Sequence, residues 1–319
     1  MPDDISAPYD LARARAVVAR HLVPTPLIAT GLAPGALLKL ETMQPVGAFK
    51  VRGALAALDA LPPGASAVTA SAGNHALGMA YAAGPTGREV TVVVARDASP
   101  AKIAKLRGSP IELVLHGSGF DEAEGHALKL AAERGAHYVS AYAHPDVIAG
   151  QATIGTEIAA EVPGPLTVVC AVGGGGLAAG LALWAREHGD ARVVGVEVEA
   201  SRAVSTAVHA GRIMPCEIGD SIADGLTGNL EDGCPTPDVL RAGVRDGTVR
   251  LTHVSESEVH DAMRWLFTHH GIVVEGAGAA AAAAVLAGRV PAPDRGRLAV
   301  VLSGRNITAD AYAKVLHHD

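Results

Sequence analysis

Short runs of β-branched residues alternate with helical stretches along almost the whole chain. Consecutive apolar positions predict buried strands at residues 90–94, 111–115, 167–172, 193–198 and 298–302. Helices are predicted at residues 53–61, 74–83, 120–134, 177–188 and 256–270. Strands that are apolar on both faces and separated by helices are typical of a parallel sheet covered by helices. We therefore expect an α/β fold with two domains and a site in the cleft between them.

The composition narrows the classes of protein to which the chain can belong. Its 319 residues are enough for two domains, and 49% hydrophobic against 18% charged residues predicts a sizeable core. The 26 basic residues are outnumbered by 33 acidic ones, and aromatic residues make up only 3%. Nucleic-acid binding is therefore disfavoured, because it needs a basic surface and rings that stack on bases.

No segment of the sequence indicates a membrane or a secretory route. The N-terminal Met1-Pro2-Asp3-Asp4 is acidic and no apolar segment follows it, so a signal peptide is not expected. The longest apolar stretch, residues 277–287, is too short to span a bilayer. The three cysteines are odd in number and lack zinc spacing. We expect a cytoplasmic protein with reduced thiols.

Two segments combine residues that could carry chemistry at the start of a helix. In residues 47–53, Lys50 lies between Phe49 and Val51, where burial would lower its pKa and suit it to forming a Schiff base. Taken alone, an ordinary surface lysine is the simpler interpretation. In residues 71–76, the Ser71 hydroxyl and free backbone amides could hold a carboxylate, although a capped helix start is the favoured interpretation of this segment taken alone.

Two further segments follow predicted strands. Four consecutive glycines at 173–176 let backbone amides converge on an anion at a helix start, which favours a phosphate cradle over a flexible linker. Their spacing matches neither the P-loop nor the dinucleotide fingerprint. Ser303 lies at a strand end, where parallel sheets bind ligands. A lysine, a phosphate cradle and polar strand ends together indicate a pyridoxal phosphate enzyme.

The chain resembles the fold-type II pyridoxal phosphate enzymes (tryptophan synthase β-like), specifically the serine/threonine dehydratase and serine racemase family. The matching segments run in family order through residues 25–27, 39–41, 47–53, 71–76, 147–151, 173–176, 222–225, 275–278 and 303–306. The resemblance implies pyridoxal 5′-phosphate as cofactor, an amino acid as substrate and a homodimer. It also implies a large domain of residues 1–51 and 146–319 and a small domain of residues 52–145, each with a mostly parallel sheet flanked by helices.

The resemblance assigns roles by position. It makes Lys50 the Schiff-base lysine, places Ser71 with the backbone of residues 73–75 at the substrate carboxylate, and places Asp224 near the substrate β-substituent. The implied cofactor-binding residues are Phe49 beside the ring, Asn74 on the 3′ oxygen, Ser303 on the pyridine nitrogen, Glu275, and the phosphate loop of Gly173, Gly174, Gly175, Gly176 and Leu177.

The implied activity is an ammonia-lyase (dehydratase) that converts a β-hydroxy amino acid (L-threonine, L-serine or 3-hydroxyaspartate) into a 2-keto acid and ammonia. A serine racemase, a β-replacement enzyme and a non-catalytic cofactor-binding protein are the alternatives. Racemisation is disfavoured because the serine racemases resembled here carry a serine at the position of Ala72, whose methyl group cannot relay a proton.

Two departures from the family pattern bear on specificity and metals. Arg305 replaces the second glycine of the usual Ser-Gly-Gly-Asn turn. We expect either strained backbone there or a guanidinium near the cleft that would pair with a dicarboxylic substrate, with a solvent-directed side chain as the simpler alternative. Glu197 fits the first of two acidic metal positions, but the second falls near Ala203, so no metal is predicted.

Overall fold

The computed structural model describes residues 8–317, so Met1–Asp4 and His318 lie outside the described residues. Its strands are β1 (Leu27–Ala29), β2 (Leu37–Leu40), β3 (Ala67–Ala70), β4 (Val90–Val94), β5 (Glu112–Leu115), β6 (His137–Tyr138), β7 (Leu166–Ala171), β8 (Ala191–Val198), β9 (Val249–Val254) and β10 (Arg297–Leu302). Its helices are α1 (Leu11–His21), α2 (Lys50–Ala60), α3 (Asn74–Thr86), α4 (Pro100–Leu106), α5 (Phe120–Arg134), α6 (Pro145–Glu161), α7 (Gly176–His188), α8 (Ala203–Ala210), α9 (Thr236–Asp246), α10 (Glu256–His270), α11 (Gly276–Leu286) and α12 (Ala309–His317). Short 3₁₀ turns lie at Glu41–Met43 and Asp224–Leu226.

Most predicted elements form where the pattern places them. β4, α5 and α10 have the predicted limits, because an uninterrupted apolar run or a helical pattern ending at Gly135 and Gly271 defines them. The prediction for α2 was wrong at its start, since the helix begins at Lys50 rather than Gly53. Phe49 already has helical dihedral angles, so the helix reaches back to include the lysine.

The strands form two sheets. One has six strands in the order β1-β2-β10-β7-β8-β9, and only the β1–β2 pair is antiparallel. The other has four parallel strands in the order β5-β4-β3-β6. Because β7 and β10 are parallel neighbours, Gly173 and Ser303 emerge at the same edge of the larger sheet. Ser71 follows β3 in the smaller sheet.

The division of the chain at residues 51 and 146 stays a prediction. All strands of the four-stranded sheet lie within the predicted small domain of residues 52–145. Helix α2, however, runs across the first predicted boundary without interruption. Within residues 8–317, none of the helices combines the length and apolar character that crossing a bilayer requires.

Small residues let backbones approach each other closely beside the larger sheet. α11 contains a run of buried alanines and packs against β10 and β7. A Cβ added at Gly278 of this helix would collide with the carbonyl oxygen of Gly304. The abundance of alanine and glycine therefore serves close packing of α11 on the turn that follows Ser303.

A network of buried charges anchors the start of α2. Arg52 is fully buried, and its guanidinium donates hydrogen bonds of 2.7 and 2.8 Å to Glu41 and of 2.6 and 2.7 Å to Glu157. The buried Lys39 donates to Glu157 (2.6 Å) and to the carbonyl of Thr25 (2.6 Å). Burial opposes ionisation of Glu41, yet the Arg52 guanidinium holds its pKa below the ordinary value. Two cations thus balance two carboxylates close to Lys50.

We expect Arg52→Ala to lower the free energy of unfolding by about 3–5 kcal/mol, because it leaves the buried Glu41 carboxylate without its guanidinium and leaves Lys39 as the cation that pairs with Glu157. Urea denaturation of the purified protein measures the change. Arg20→Ala is the matched control, since Arg20 pairs with Asp59 with 59% of its side chain exposed and its removal should cost less than about 1 kcal/mol. Equal losses in the two variants would contradict the prediction.

Candidate active site

Lys50 occupies a half-buried position at the first residue of α2. Its Nζ donates a 2.7 Å hydrogen bond to the carbonyl oxygen of Ala141 and lies 5.3 Å from the centroid of the Phe49 ring. Burial lowers the pKa of Lys50 to about 8. The ordinary-surface-lysine interpretation is therefore wrong. With this pKa, about a tenth of the amine is uncharged and nucleophilic at pH 7, a far larger share than for a lysine with its ordinary pKa.

Asn74, Glu275 and Asn306 form a hydrogen-bonded chain across the cleft. Asn74 Nδ2 donates to Glu275 Oε1 (2.6 Å), and Asn306 Nδ2 donates to Asn74 Oδ1 (2.7 Å) and to the carbonyl of Val46 (2.8 Å). The side-chain amide of Asn74 is thereby held in one orientation. Asn306 was not identified as a site residue from the sequence. It belongs to the 303–306 turn, but nothing in that segment indicates that its side chain contacts Asn74.

The surroundings of Glu275 bring the pKa of its carboxyl group close to neutral pH. Burial raises the pKa of Glu275 to about 7, the hydrogen bond from Asn74 acts in the opposite direction, and the nearby Asp224 carboxylate raises it further. The carboxyl group precedes α11 and is packed against Gly304, where an added Cβ would collide with its Oε1. The site thus contains a carboxyl group that can carry a proton at neutral pH.

The four glycines between β7 and α7 form a closely packed turn. A Cβ at Gly174 would collide with the Tyr142 ring, and one at Gly176 would lie 2.9 Å from the Tyr142 carbonyl oxygen. At Gly175, φ is +87° and a Cβ would lie 2.8 Å from Thr236 Oγ1. The backbone amides that begin α7 at Gly176 and Leu177 have no partners inside the helix. A flexible linker would not need such close packing, so that interpretation is disfavoured. The turn is instead suited to holding an anion, because the unpaired amides lie at a helix start.

Ser303 joins the end of β10 to α2. Its carbonyl oxygen accepts the Phe49 amide (3.0 Å), and its hydroxyl lies 3.4 Å from the carbonyl oxygen of Ala277 in α11. Ser303 is buried, and its bond to Phe49 places it next to the residue that precedes Lys50. The structure therefore brings the lysine segment, the strand end and the Glu275 segment together, as predicted from separate parts of the sequence.

Ser71 is half-buried and Asp224 is exposed. The Ser71 hydroxyl accepts a hydrogen bond from the Gly73 amide (3.2 Å), which shapes the turn before α3. Asp224 is exposed and pairs with Lys102 of α4 at 2.6 Å. This ion pair connects a helix beside the smaller sheet to the 3₁₀ turn that packs on α11.

The prediction of backbone strain at Arg305 was wrong. In the described part of the chain, no residue other than glycine has a positive φ. The positive φ falls instead on Gly47 (+73°), where the segment before Lys50 meets the 303–306 turn. The Arg305 amide donates to the Gly47 carbonyl (2.9 Å). The exposed Arg305 side chain and Lys105 line an outer cleft of about 560 Å³.

Glu197 has a structural role in this fold. The carboxylate is buried and accepts hydrogen bonds from the amides of Val204 (3.0 Å) and Ser205 (3.1 Å) in the first turn of α8. It therefore stabilises a helix N-terminus. Among residues 8–317, no group of three or more histidine, cysteine or acidic side chains is placed to hold a metal ion.

Comparison with known proteins now identifies the family. The model of the pyridoxal-phosphate dependent enzyme family matches residues 18–304. The chain belongs to this family. An L-threonine ammonia-lyase from Geobacter sulfurreducens is 37% identical over 282 residues, covering 87% of this chain and 69% of the relative.

Solved structures agree in fold over nearly the whole chain. A threonine deaminase from T.th. superposes with a TM-score of 0.83 at 37% identity, covering 93% of this chain and 97% of that one. Maize serine racemase superposes with a TM-score of 0.87 at 26% identity, covering 96% and 95%. The predicted fold class, the resemblance to the dehydratase family and the cofactor are confirmed. The roles of the individual site residues stay predictions.

The residues present in this pyridoxal phosphate enzyme fit its cofactor. Lys50 offers an amine with a lowered pKa, the glycine turn offers unpaired amides at a helix start, and Asn74 offers a fixed amide group. Nothing in the sequence indicated which residues would contact these predicted site residues. Tyr142, Thr236 and Asn306 contact the predicted residues only through folding, from positions far along the chain.

We expect the cofactor-free protein to lose stability as the pH rises from about 4.5 through about 7, because folded Glu275 binds its proton more tightly than the unfolded chain does. Between pH 5 and 7.5, the wild type should lose about 1–3 kcal/mol relative to Glu275→Gln, which cannot titrate. Urea denaturation at the two pH values measures this difference. Glu133→Gln, an exposed carboxylate on α5, should follow the wild type. A Glu275→Gln profile parallel to the wild type would contradict the prediction.

Proposed function

We propose that this enzyme is a pyridoxal phosphate-dependent ammonia-lyase that converts L-threonine or L-serine into a 2-keto acid and ammonia. The observation that carries the proposal is the half-buried Lys50 amine, whose pKa is lowered to about 8 beside the Phe49 ring. The named relatives support it, since one is an L-threonine ammonia-lyase and another a threonine deaminase. The prediction of a dehydratase made from the sequence is confirmed at this level.

Bound pyridoxal phosphate supplies the electron sink that makes the substrate Cα–H acidic and lets the β-hydroxyl group depart. We assign two roles to Lys50: its amine would hold the cofactor, and it would remove the Cα proton of the substrate. The lowered pKa suits both tasks because each requires the uncharged amine. The glycine turn, with Leu177, is assigned to the phosphate.

Three polar groups orient the reacting atoms in this proposal. Asn74, held by Glu275 and Asn306, presents its amide to the 3′ oxygen of the cofactor. Ser303 presents a neutral hydroxyl, rather than a carboxylate, to the pyridine nitrogen, which leaves that nitrogen largely unprotonated. Ser71 and the backbone amides at the start of α3 bind the substrate carboxylate.

The charges around the cleft favour threonine and serine over a dicarboxylic substrate. Asp224, assigned to the β-substituent, is acidic, and the cation that contacts it, Lys102, is already paired with it. Arg305, the group that motivated the 3-hydroxyaspartate hypothesis, packs against Gly47 and lines the outer cleft with Lys105. A second substrate carboxylate would therefore meet a carboxylate rather than a free cation.

We also propose dehydration over racemisation. A racemase needs a second proton-carrying group on the face of Cα opposite to the lysine, and the residue at the position assigned to that group is Ala72. Its methyl group has no proton to exchange.

Lys50→Ala should abolish both cofactor attachment and catalysis. We expect the wild type to release 2-keto acid and ammonia from L-threonine and L-serine faster than from their D-isomers or 3-hydroxyaspartate. The variant should be slower by a factor of about 10³ or more, since it loses nucleophile and base together. Mass spectrometry after borohydride reduction should find the cofactor mass on Lys50 of the wild type. Lys129→Ala, with a 71% exposed side chain, is the control.

The same assay separates the alternatives. A wild type that carries the cofactor on Lys50 but releases no 2-keto acid from any substrate would point to β-replacement or to a non-catalytic role. Conversion of L-serine mainly into D-serine would establish a racemase. Fastest release from 3-hydroxyaspartate would restore the dicarboxylate hypothesis.

We further propose a cytoplasmic homodimer that binds an amino-acid substrate and no nucleic acid. The dimer follows from the family resemblance. The location is supported by Cys170, Cys216 and Cys234, which are all free thiols and fit a reducing compartment. Sedimentation velocity should give about twice the chain mass of 32.3 kDa, and a species of single chain mass would contradict the dimer.

A further inference from the structure

Thr236 contacts the glycine turn from a distant part of the sequence. It is the first residue of α9 and is fully buried. Its hydroxyl donates a 2.7 Å hydrogen bond to the carbonyl oxygen of Gly174. The Tyr142 ring packs against the same glycine, where it would obstruct an added Cβ. The turn is therefore held between a ring and a hydroxyl group.

The bond to the Gly174 carbonyl also determines the direction of the next amide. The peptide bonds of residues 8–317 are all trans, so the C=O of Gly174 and the N–H of Gly175 point in opposite directions. A carbonyl directed at Thr236 therefore aims the Gly175 amide away from α9. Without this bond, a run of four glycines would have many accessible backbone conformations.

Cys234 makes a second contact with the Thr236 hydroxyl. Its Sγ lies 3.1 Å from Thr236 Oγ1. Because the hydroxyl proton is used on the Gly174 carbonyl, the thiol must be the donor in this second contact. Burial raises the pKa of the Cys234 thiol, so the thiol keeps its proton. The result is a continuous chain from Cys234 through Thr236 to Gly174.

We propose that Thr236 is a positioning residue for the cofactor phosphate, orienting the Gly174–Gly175 peptide so that the Gly175 amide faces the phosphate group. Thr236 acts through the glycine turn rather than by touching the cofactor. The inference rests on the proposed function only in requiring that the protein binds pyridoxal phosphate. It is independent of which substrate the enzyme uses.

The test compares Thr236→Val, which removes the hydroxyl with little change in shape, with Thr236→Ser, which keeps it. Dissociation constants are measured by absorbance titration for pyridoxal phosphate and for pyridoxal, which lacks the phosphate. We expect Thr236→Val to weaken pyridoxal phosphate binding about 3- to 20-fold, as for loss of one charge-assisted hydrogen bond, and to leave pyridoxal binding within about twofold. Thr236→Ser should bind both within about twofold of the wild type. The ³¹P chemical shift of the bound cofactor should move in Thr236→Val and stay unchanged in Thr236→Ser.

Equal weakening of both ligands in Thr236→Val would overturn the inference, because it would show a general effect on the fold. Unchanged binding of pyridoxal phosphate would also overturn it. If Thr236→Val does not fold, Thr236→Ala is used in its place, and the same selective loss for the phosphate ligand is required. A wild type that binds the cofactor on Lys50 but lacks lyase activity refutes the proposed reaction while leaving this test intact.

Discussion

The buried guanidinium of Arg52 is the constraint on which the position of Lys50 depends. It joins α2 to the 3₁₀ turn after β2 through Glu41 and to α6 through Glu157. Because Lys50 is only two residues away, any displacement of this ion network would move the amine relative to the end of β10. Charged groups in such a place need complete pairing, since an unpaired charge in the interior is strongly destabilising. Pairing here is complete, as two cations face two carboxylates.

Close backbone contact is the second condition for the site. Gly278 lies directly against Gly304, and an added Cβ at Gly78 would lie 3.1 Å from the Lys50 backbone. These approaches bring α11 and α3 onto the segments that carry Ser303 and Lys50. Larger side chains at these glycines would separate the same segments. The high alanine and glycine content and the scarcity of aromatic residues are consequences of this packing.

Burial then shifts the pKa values of two residues of the site in opposite directions. It lowers the pKa of Lys50 to about 8 and raises that of Glu275 to about 7, so each group carries less charge than it would in water. An uncharged lysine is the reactive form, and a protonated carboxyl group does not repel an anionic ligand. His75, next to Asn74, is also kept neutral, because burial lowers its pKa to about 3. Lys102 and Asp224, by contrast, are exposed and pair with each other.

The α/β class, most element positions, the glycine turn before α7 and the family could be predicted from the sequence, because strand and helix periods and local motifs are properties of neighbouring residues. Whether Lys50 is exposed could not be predicted, since burial of that amine depends on distant parts of the chain: α3 and α6 pack against α2, and the carbonyl of Ala141 accepts from the amine. The expectation of strained backbone at Arg305 failed for a related reason. Where the 303–306 turn meets the segment before Lys50, the positive φ falls on Gly47, a residue far away along the chain. Thr236, Tyr142 and Asn306 are recognised as partners of the site only in the tertiary structure. Their contacts join residues with no shared local pattern, and only the folded chain brings those residues within hydrogen-bonding distance.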